Sequence, residues 1–141
     1  SQFKNKNIEI VEDIEDIETI GHENELLQVI INVLNNARDI LSDSDLTNKY
    51  IFVNVYKEDS ELCICIKDNA GGIKEEIIDN IFEPYFTTKH QSQGTGIGLY
   101  MAEEIICKHM NGKIEASNEA FTYKDLECYG AKFLIKLPIK E

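Results

Sequence analysis

Four stretches of the chain carry residues that could do chemistry. In QVIINVLNNARDI, Gln28, Asn32, Asn36 and Asp39 are spaced four, four and three residues apart, so on a helix they form one polar stripe. Asparagine is a mediocre helix former, and Asn32, Asn35 and Asn36 crowd into one turn and a half. Two readings fit: a solvated helix face, or a row of oxygen donors for a hard cation such as Mg²⁺ with spare amides for phosphate oxygens. In DNAGGI (68–73) a carboxylate, an amide and two glycines make a tight turn where backbone can approach a flat ligand, although a plain β-turn reads the same way. FEPYFTTK (82–89) sets two aromatics around a proline and then two hydroxyls and a lysine, which also suits a surface loop anchored by its rings. GTGIGLYM (94–101) runs three glycines into a helix start, where unpaired N–H groups and the positive helix end favour phosphate. Neither a P-loop nor a GxGxxG dinucleotide fingerprint is present.

The remaining reactive side chains read as structural. Cys63 and Cys65 fall on one side of an apolar strand, and Cys107 and Cys128 add no CxxC spacing, so core packing is expected rather than a metal or redox pair. His22, followed by Glu23, stands at a helix start, where a surface residue is expected. His90 falls in the hydroxyl-rich loop, and His109 near a helix C-terminus, where an imidazole is favourable in any case.

The elements that must position these groups follow from periodicity. Leu27, Ile30, Ile31, Leu34 and Leu41 predict an amphipathic helix over 23–41. The acidic run before it, EIVEDIEDIETIGHENE, keeps isoleucines at 10, 14, 17 and 20, so it is expected to be an edge element with a solvated face. IFVNVYK (51–57) and ELCICIKD (61–68) predict a hairpin, the second strand apolar on both faces and so expected to be central and covered on both sides. A short helix is expected at about 74–81, and a longer one from near Thr95 to Met110 with Gly112 as its stop. KIEASN and AKFLIKLPI read as strands around a loop at about 118–129. The order β-α-ββ-α-α-ββ predicts an α+β fold. It is a two-layer α/β sandwich, with a mixed, mostly antiparallel sheet of about five strands covered on one face by three helices.

Bulk properties narrow the functional classes. The 141 residues suit a single domain spanning 1–141. With 26 acidic against 14 basic residues the net charge is −12, which disfavours nucleic acid and direct membrane contact. No apolar run approaches the ~20 residues of a membrane span. SQFKNKNIEI does not resemble a secretory leader, and four cysteines are too sparse for a disulfide scaffold, so a cytoplasmic location is expected.

The order of the four stretches, followed by HMNGKIEASN and GAKFLIKLP, resembles the GHKL ATP-binding superfamily over about 20–139. Its members include DNA gyrase, heat-shock chaperones, MutL repair proteins and bacterial sensor histidine kinases, and the chain most resembles the catalytic ATP-binding domain of the last. The resemblance implies a Bergerat-type fold with ATP and Mg²⁺ as cofactors. It implies that Asp68 accepts a hydrogen bond from the adenine amino group and that Gly72 and Ile73 line the base. It implies that Asn36, with Asn32 near it, holds Mg²⁺ on the triphosphate. Nucleotide contacts would also come from Asp39, Thr87, Thr88, Lys89, Gly94 and Thr95, and from the backbone of Gly96, Ile97, Gly98 and Leu99, with Thr88 and Lys89 reaching the γ-phosphate. Asp39 departs from the lysine of many histidine kinases of this superfamily.

Hydrolysing members of that superfamily carry a glutamate four residues before the metal-binding asparagine, and here that position is Asn32. An amide cannot take a proton from water near neutral pH. The resemblance therefore implies a protein-histidine kinase catalytic domain, with Asn32 and Lys89 the candidate catalytic groups. Its partners would be a separate dimerisation/phosphoacceptor helical domain and, indirectly, a response regulator of a two-component system, the domain itself being a monomer. An ATP-hydrolysing domain of the same superfamily, or a nucleotide-sensing module without phosphotransfer, are the alternatives.

Overall fold

The computed structural model describes residues 7–86 and 97–140. A five-stranded sheet has the order β1-β2-β3-β5-β4, with β1 at Ile8–Ile14, β2 at Lys49–Glu58, β3 at Glu61–Asp68, β4 at Lys113–Tyr123 and β5 at Leu126–Pro138. Strand β1 runs parallel to β2, and every other pair is antiparallel. Parallel neighbours need a crossover, and the helix α1 (Glu23–Ser42) supplies it. Two further helices, α2 (Glu75–Ile78) and α3 (Gly98–Glu104), complete the second layer, and α3 runs on into a π-helical turn at Ile105–His109. The mixed sheet and one-sided helical layer match the α+β architecture expected.

Strand alternation explains the layering. Leu62, Ile64 and Ile66 of β3 pair with Leu137, Ile135 and Phe133 of β5, and all six are buried on the face that meets the helices. From α1 the row Val29, Val33, Ala37 and Leu41, one residue every four, packs into this core at 0–3% exposure. The apolar stripe expected from the sequence is thus rotated: Leu41 is buried and Ile30 and Leu34 are partly so, but Leu27 and Ile31 are 54% and 40% exposed. The inner face is the i, i+4 row of Val29, Val33, Ala37 and Leu41, with Leu26, Ile30 and Leu34 packed beside it.

Three other expectations shift. Strand β3 is central, but among the described residues no helix covers its second face; Cys63 is buried there and Lys67 is covered by neighbouring rings. The region expected to be a loop at 118–129 is mostly strand, turning only at Lys124 and Asp125, both with positive φ. What extends the hairpin is the open face, where Phe121 and Tyr123 meet Phe52 edge-on at 5.2 and 5.0 Å, and Tyr123 meets Tyr50 at 4.9 Å. Lys67 Nζ lies 3.9 Å from the Phe121 ring centre and 2.8 Å from Glu119, which also pairs with Lys132. Finally, α2 is one turn only, the residues after it forming turns, and the chain leaves the π-helical turn through Asn111 at φ 56° before Gly112.

Candidate functional site

The site assembles where the C-terminal end of β3, the middle of α1 and the start of α3 meet. Asp68 ends β3 and is 3% exposed, a position no carboxylate takes without compensation. Its Oδ1 accepts the N–H of Ala70 at 2.9 Å and of Ala131 at 3.3 Å. Both bonds end on one oxygen, and no described residue bonds Oδ2. Burial pushes the Asp68 carboxyl above its usual range, and the two backbone N–H groups pull partly back. Gly130 is required by close approach: a Cβ there would collide with the Asp68 carbonyl oxygen.

The turn after Asp68 is tied on both sides. Asn69, 6% exposed, accepts the Tyr50 N–H through Oδ1 at 2.9 Å and donates through Nδ2 to the Asn48 carbonyl at 2.9 Å. Gly71 and Gly72 take φ of 100° and 84°, which glycine adopts without strain, and Gly71 N–H donates to the Tyr129 carbonyl at 2.8 Å. Ile73 is held by Asn118 and packs partly buried against the core.

On α1, Gln28 donates to Asn32 Oδ1 at 2.8 Å, and Asn32 Nδ2 donates to the Gly98 carbonyl at 3.1 Å. The polar stripe is therefore not simply solvated; it joins α1 to the glycine-rich segment. Asn36 lies one turn further along the same helix, half-buried. Asp39 Oδ1 accepts from Arg38 Nε and Nη2 at 3.1 and 3.0 Å. Ile97 precedes α3, whose first turn holds Gly98 and the partly buried Leu99. Thr87, Thr88, Lys89, His90, Gly94, Thr95 and Gly96 lie outside the described residues.

Of the side chains set aside on sequence grounds, His22, His109 and the four cysteines fall among the described residues. His22 precedes α1 with no side-chain cap bond, and Glu25 bridges it at 3.4 Å to His109 at 2.6 Å. The four cysteines are free thiols, burial holds those of Cys63, Cys65 and Cys107 above the usual range, and no cluster able to hold a metal occurs among the described residues. Sequence reasoning missed the roles of Asn118 and Gly130, whose partners come from other strands and leave no local signal.

The mixed sheet with its one-sided helical layer defines the class, an ATPase-like domain, and comparison with known proteins gives its family. Residues 21–141 match the family of histidine kinase-, DNA gyrase B- and HSP90-like ATPases, and the chain belongs to that family. It is 34% identical over 122 residues to the two-component sensor PprA of Pseudomonas aeruginosa, covering 84% of this chain and 12% of PprA. Its fold matches the catalytic domain of the histidine kinase ThkA with a TM-score of 0.77 at 24% identity, over 99% of this chain and 84% of that one. Full-length ShkA, crystallised in complex with AMPPNP, matches with a TM-score of 0.76 at 20% identity, over 99% of this chain and 27% of ShkA. The chain thus spans only a minor part of a whole sensor such as PprA.

Proposed function

We propose that the chain binds ATP–Mg²⁺ and presents the γ-phosphate to a histidine on a separate dimerisation/phosphoacceptor helical domain of a two-component sensor kinase, acting as its cytoplasmic catalytic domain. The observation that carries the choice of kinase over hydrolase is the bonding of Asn32. Its amide donates to the Gly98 carbonyl and accepts from Gln28, so both ends are used and neither can deprotonate a water. A glutamate there could not donate to Gly98. The nucleophile must then come from elsewhere, and a partner's histidine supplies it.

In this reading Asp68 Oδ2 accepts from the adenine amino group, and Gly72 and Ile73 line the base. Guanine carries a carbonyl oxygen at the same place and meets the carboxylate with repulsion, so ATP is favoured over GTP. Asn36 is the side chain fit to hold Mg²⁺: a neutral oxygen donor, half-buried, on the face that Asn32 ties to the glycine-rich segment. The ion, when bound, neutralises triphosphate charge, which a chain of net charge −12 otherwise resists. Amides from Gly96 to Leu99 take phosphate oxygens, and Asp39, Thr87, Thr88, Lys89, Gly94 and Thr95 complete the contacts. The response regulator is met only indirectly, through the phosphohistidine.

The test adds labelled ATP to the chain with the parent's helical hairpin in trans. Acid-labile phosphate on a hairpin histidine, with little phosphate released to water, is expected. Robust release by the chain alone overturns the reading in favour of an ATPase.

A further inference from the structure

Asn118 lies in the middle of β4, outside all four stretches singled out from the sequence. Both hydrogen bonds of its side chain go to one residue: Oδ1 accepts the Ile73 N–H at 2.7 Å and Nδ2 donates to the Ile73 carbonyl at 2.7 Å. The side chain thus pairs with Ile73 as the backbone of a neighbouring strand would. Gly72 rests directly on it, since a Cβ there would lie 2.8 Å from Asn118 Oδ1 and 2.7 Å from the Tyr129 ring. Among the described residues no other side chain bonds segment 71–73.

The loop and the base-reading carboxylate therefore share one support. Gly71 hangs from the Tyr129 carbonyl, Ile73 from Asn118, and Asp68 from the Ala131 N–H, all on the β4–β5 hairpin. Two consecutive glycines at positive φ are the softest backbone in the site, and without an external tie they have no reason to hold one depth.

Resting on the nucleotide reading above, we propose that Asn118 is a positioning residue for base selectivity, holding Gly72 and Ile73 at the depth where the base meets Asp68. It touches no substrate; it acts through the loop. Loss of the tie lets a base sit without engaging Asp68, so the contact that separates adenine from guanine is the one that suffers.

The experiment measures dissociation constants of ATP–Mg²⁺ and GTP–Mg²⁺ for the whole chain, unmutated and as Asn118→Ala and Asn118→Asp. The aspartate has the same size and keeps the acceptor, but loses the donor and turns a charge toward the Ile73 carbonyl. ATP affinity is expected to fall about tenfold, the size of effect of one or two lost hydrogen bonds, and GTP affinity by less, so the ATP/GTP ratio drops in both variants. Faster hydrogen exchange at the Ile73 amide should accompany it in Asn118→Ala, where the acceptor is lost. A purely structural role lowers melting temperature and both affinities in parallel; an unchanged ratio in Asn118→Asp overturns the assignment. If Asn118→Ala does not fold, the aspartate variant decides alone. Failure of the unmutated chain to bind ATP sinks the nucleotide reading and this inference with it, whereas binding with an unmoved ratio sinks only the role of Asn118.

Discussion

Asn32 and Gly98, 66 residues apart in the chain, are joined by a 3.1 Å hydrogen bond from the Asn32 amide to the Gly98 carbonyl. The bond couples the helix that carries the polar stripe to the first turn of α3, just after the glycine-rich segment. It also limits what Asn32 is able to do, because an amide engaged at both ends holds geometry and moves no proton.

Replacing that amide by a carboxylate is therefore the direct test of the chemistry. The unmutated chain should hydrolyse ATP barely above background. Asn32→Glu should gain turnover, though far less than the ~10²–10⁴-fold that general-base assistance typically contributes, because the water site is unshaped and Gly98 loses its donor. Steady-state phosphate release at saturating ATP–Mg²⁺ decides it.

Asn36→Ala should leave melting in the absence of nucleotide nearly unchanged, since the residue is only half-buried and its helix is held by Val29, Val33, Ala37 and Leu41. The increase in melting temperature caused by ATP–Mg²⁺ should largely vanish. An undiminished increase in thermal-shift measurements places the metal elsewhere.

Asp68→Asn should act on selectivity and on stability in opposite directions. Loss of the charged acceptor should weaken ATP by ~1–2 kcal/mol and lower the ATP/GTP ratio. Because burial raises the Asp68 pKa in the folded state, its contribution to stability is full below the unfolded value of about 3.9 and is lost as pH rises through the folded value. At pH 7 the ligand-free variant should therefore melt higher than the parent, and the gap should close as pH falls toward 4. A gap independent of pH shows that the carboxylate is not desolvated.

Glu119 carries the opposite sign. Hydrogen bonds from Lys67 and Lys132 hold its carboxyl below the usual range, so its contribution is present above the unfolded value of about 4.3 and lost as pH falls through the folded one. Glu119→Gln should destabilise at pH 7 and converge with the parent in acid. Urea unfolding at a series of pH values gives both curves.

Gly130→Ala should be among the most damaging small substitutions, because the new methyl collides with the Asp68 carbonyl and backbone cannot step aside. A loss of about 1–3 kcal/mol or more is expected, with ATP affinity falling as Asp68 shifts. Gly21→Ala, with nothing within 4 Å, is the control and should stabilise slightly. Equal unfolding midpoints for the two variants contradict the close approach.

The sequence alone determined the order of elements and the identity of the motif residues. The apolar run in ELCICIKD, the 3.6-residue rhythm of α1 and the glycines of 71–72 are local signals, and they do not depend on what lies across the sheet. Even the choice of an amide at position 32 is legible as a residue type. Three matters were decided only by tertiary structure. Which apolar row of α1 faces inward was decided by packing against the sheet, which buries Val29, Val33, Ala37 and Leu41 and leaves Leu27 and Ile31 exposed. Strand structure past residue 118 depended on Phe121 and Tyr123 finding Phe52 and Tyr50 two strands away in the sequence order, a contact that a window reading of a turn-rich stretch cannot contain. And the support of the candidate base loop rests on Asn118 meeting Ile73 across 45 residues, where an asparagine in a strand carries no sign of its partner, because a hydrogen bond is fixed by distance and angle in space and not by position along the chain.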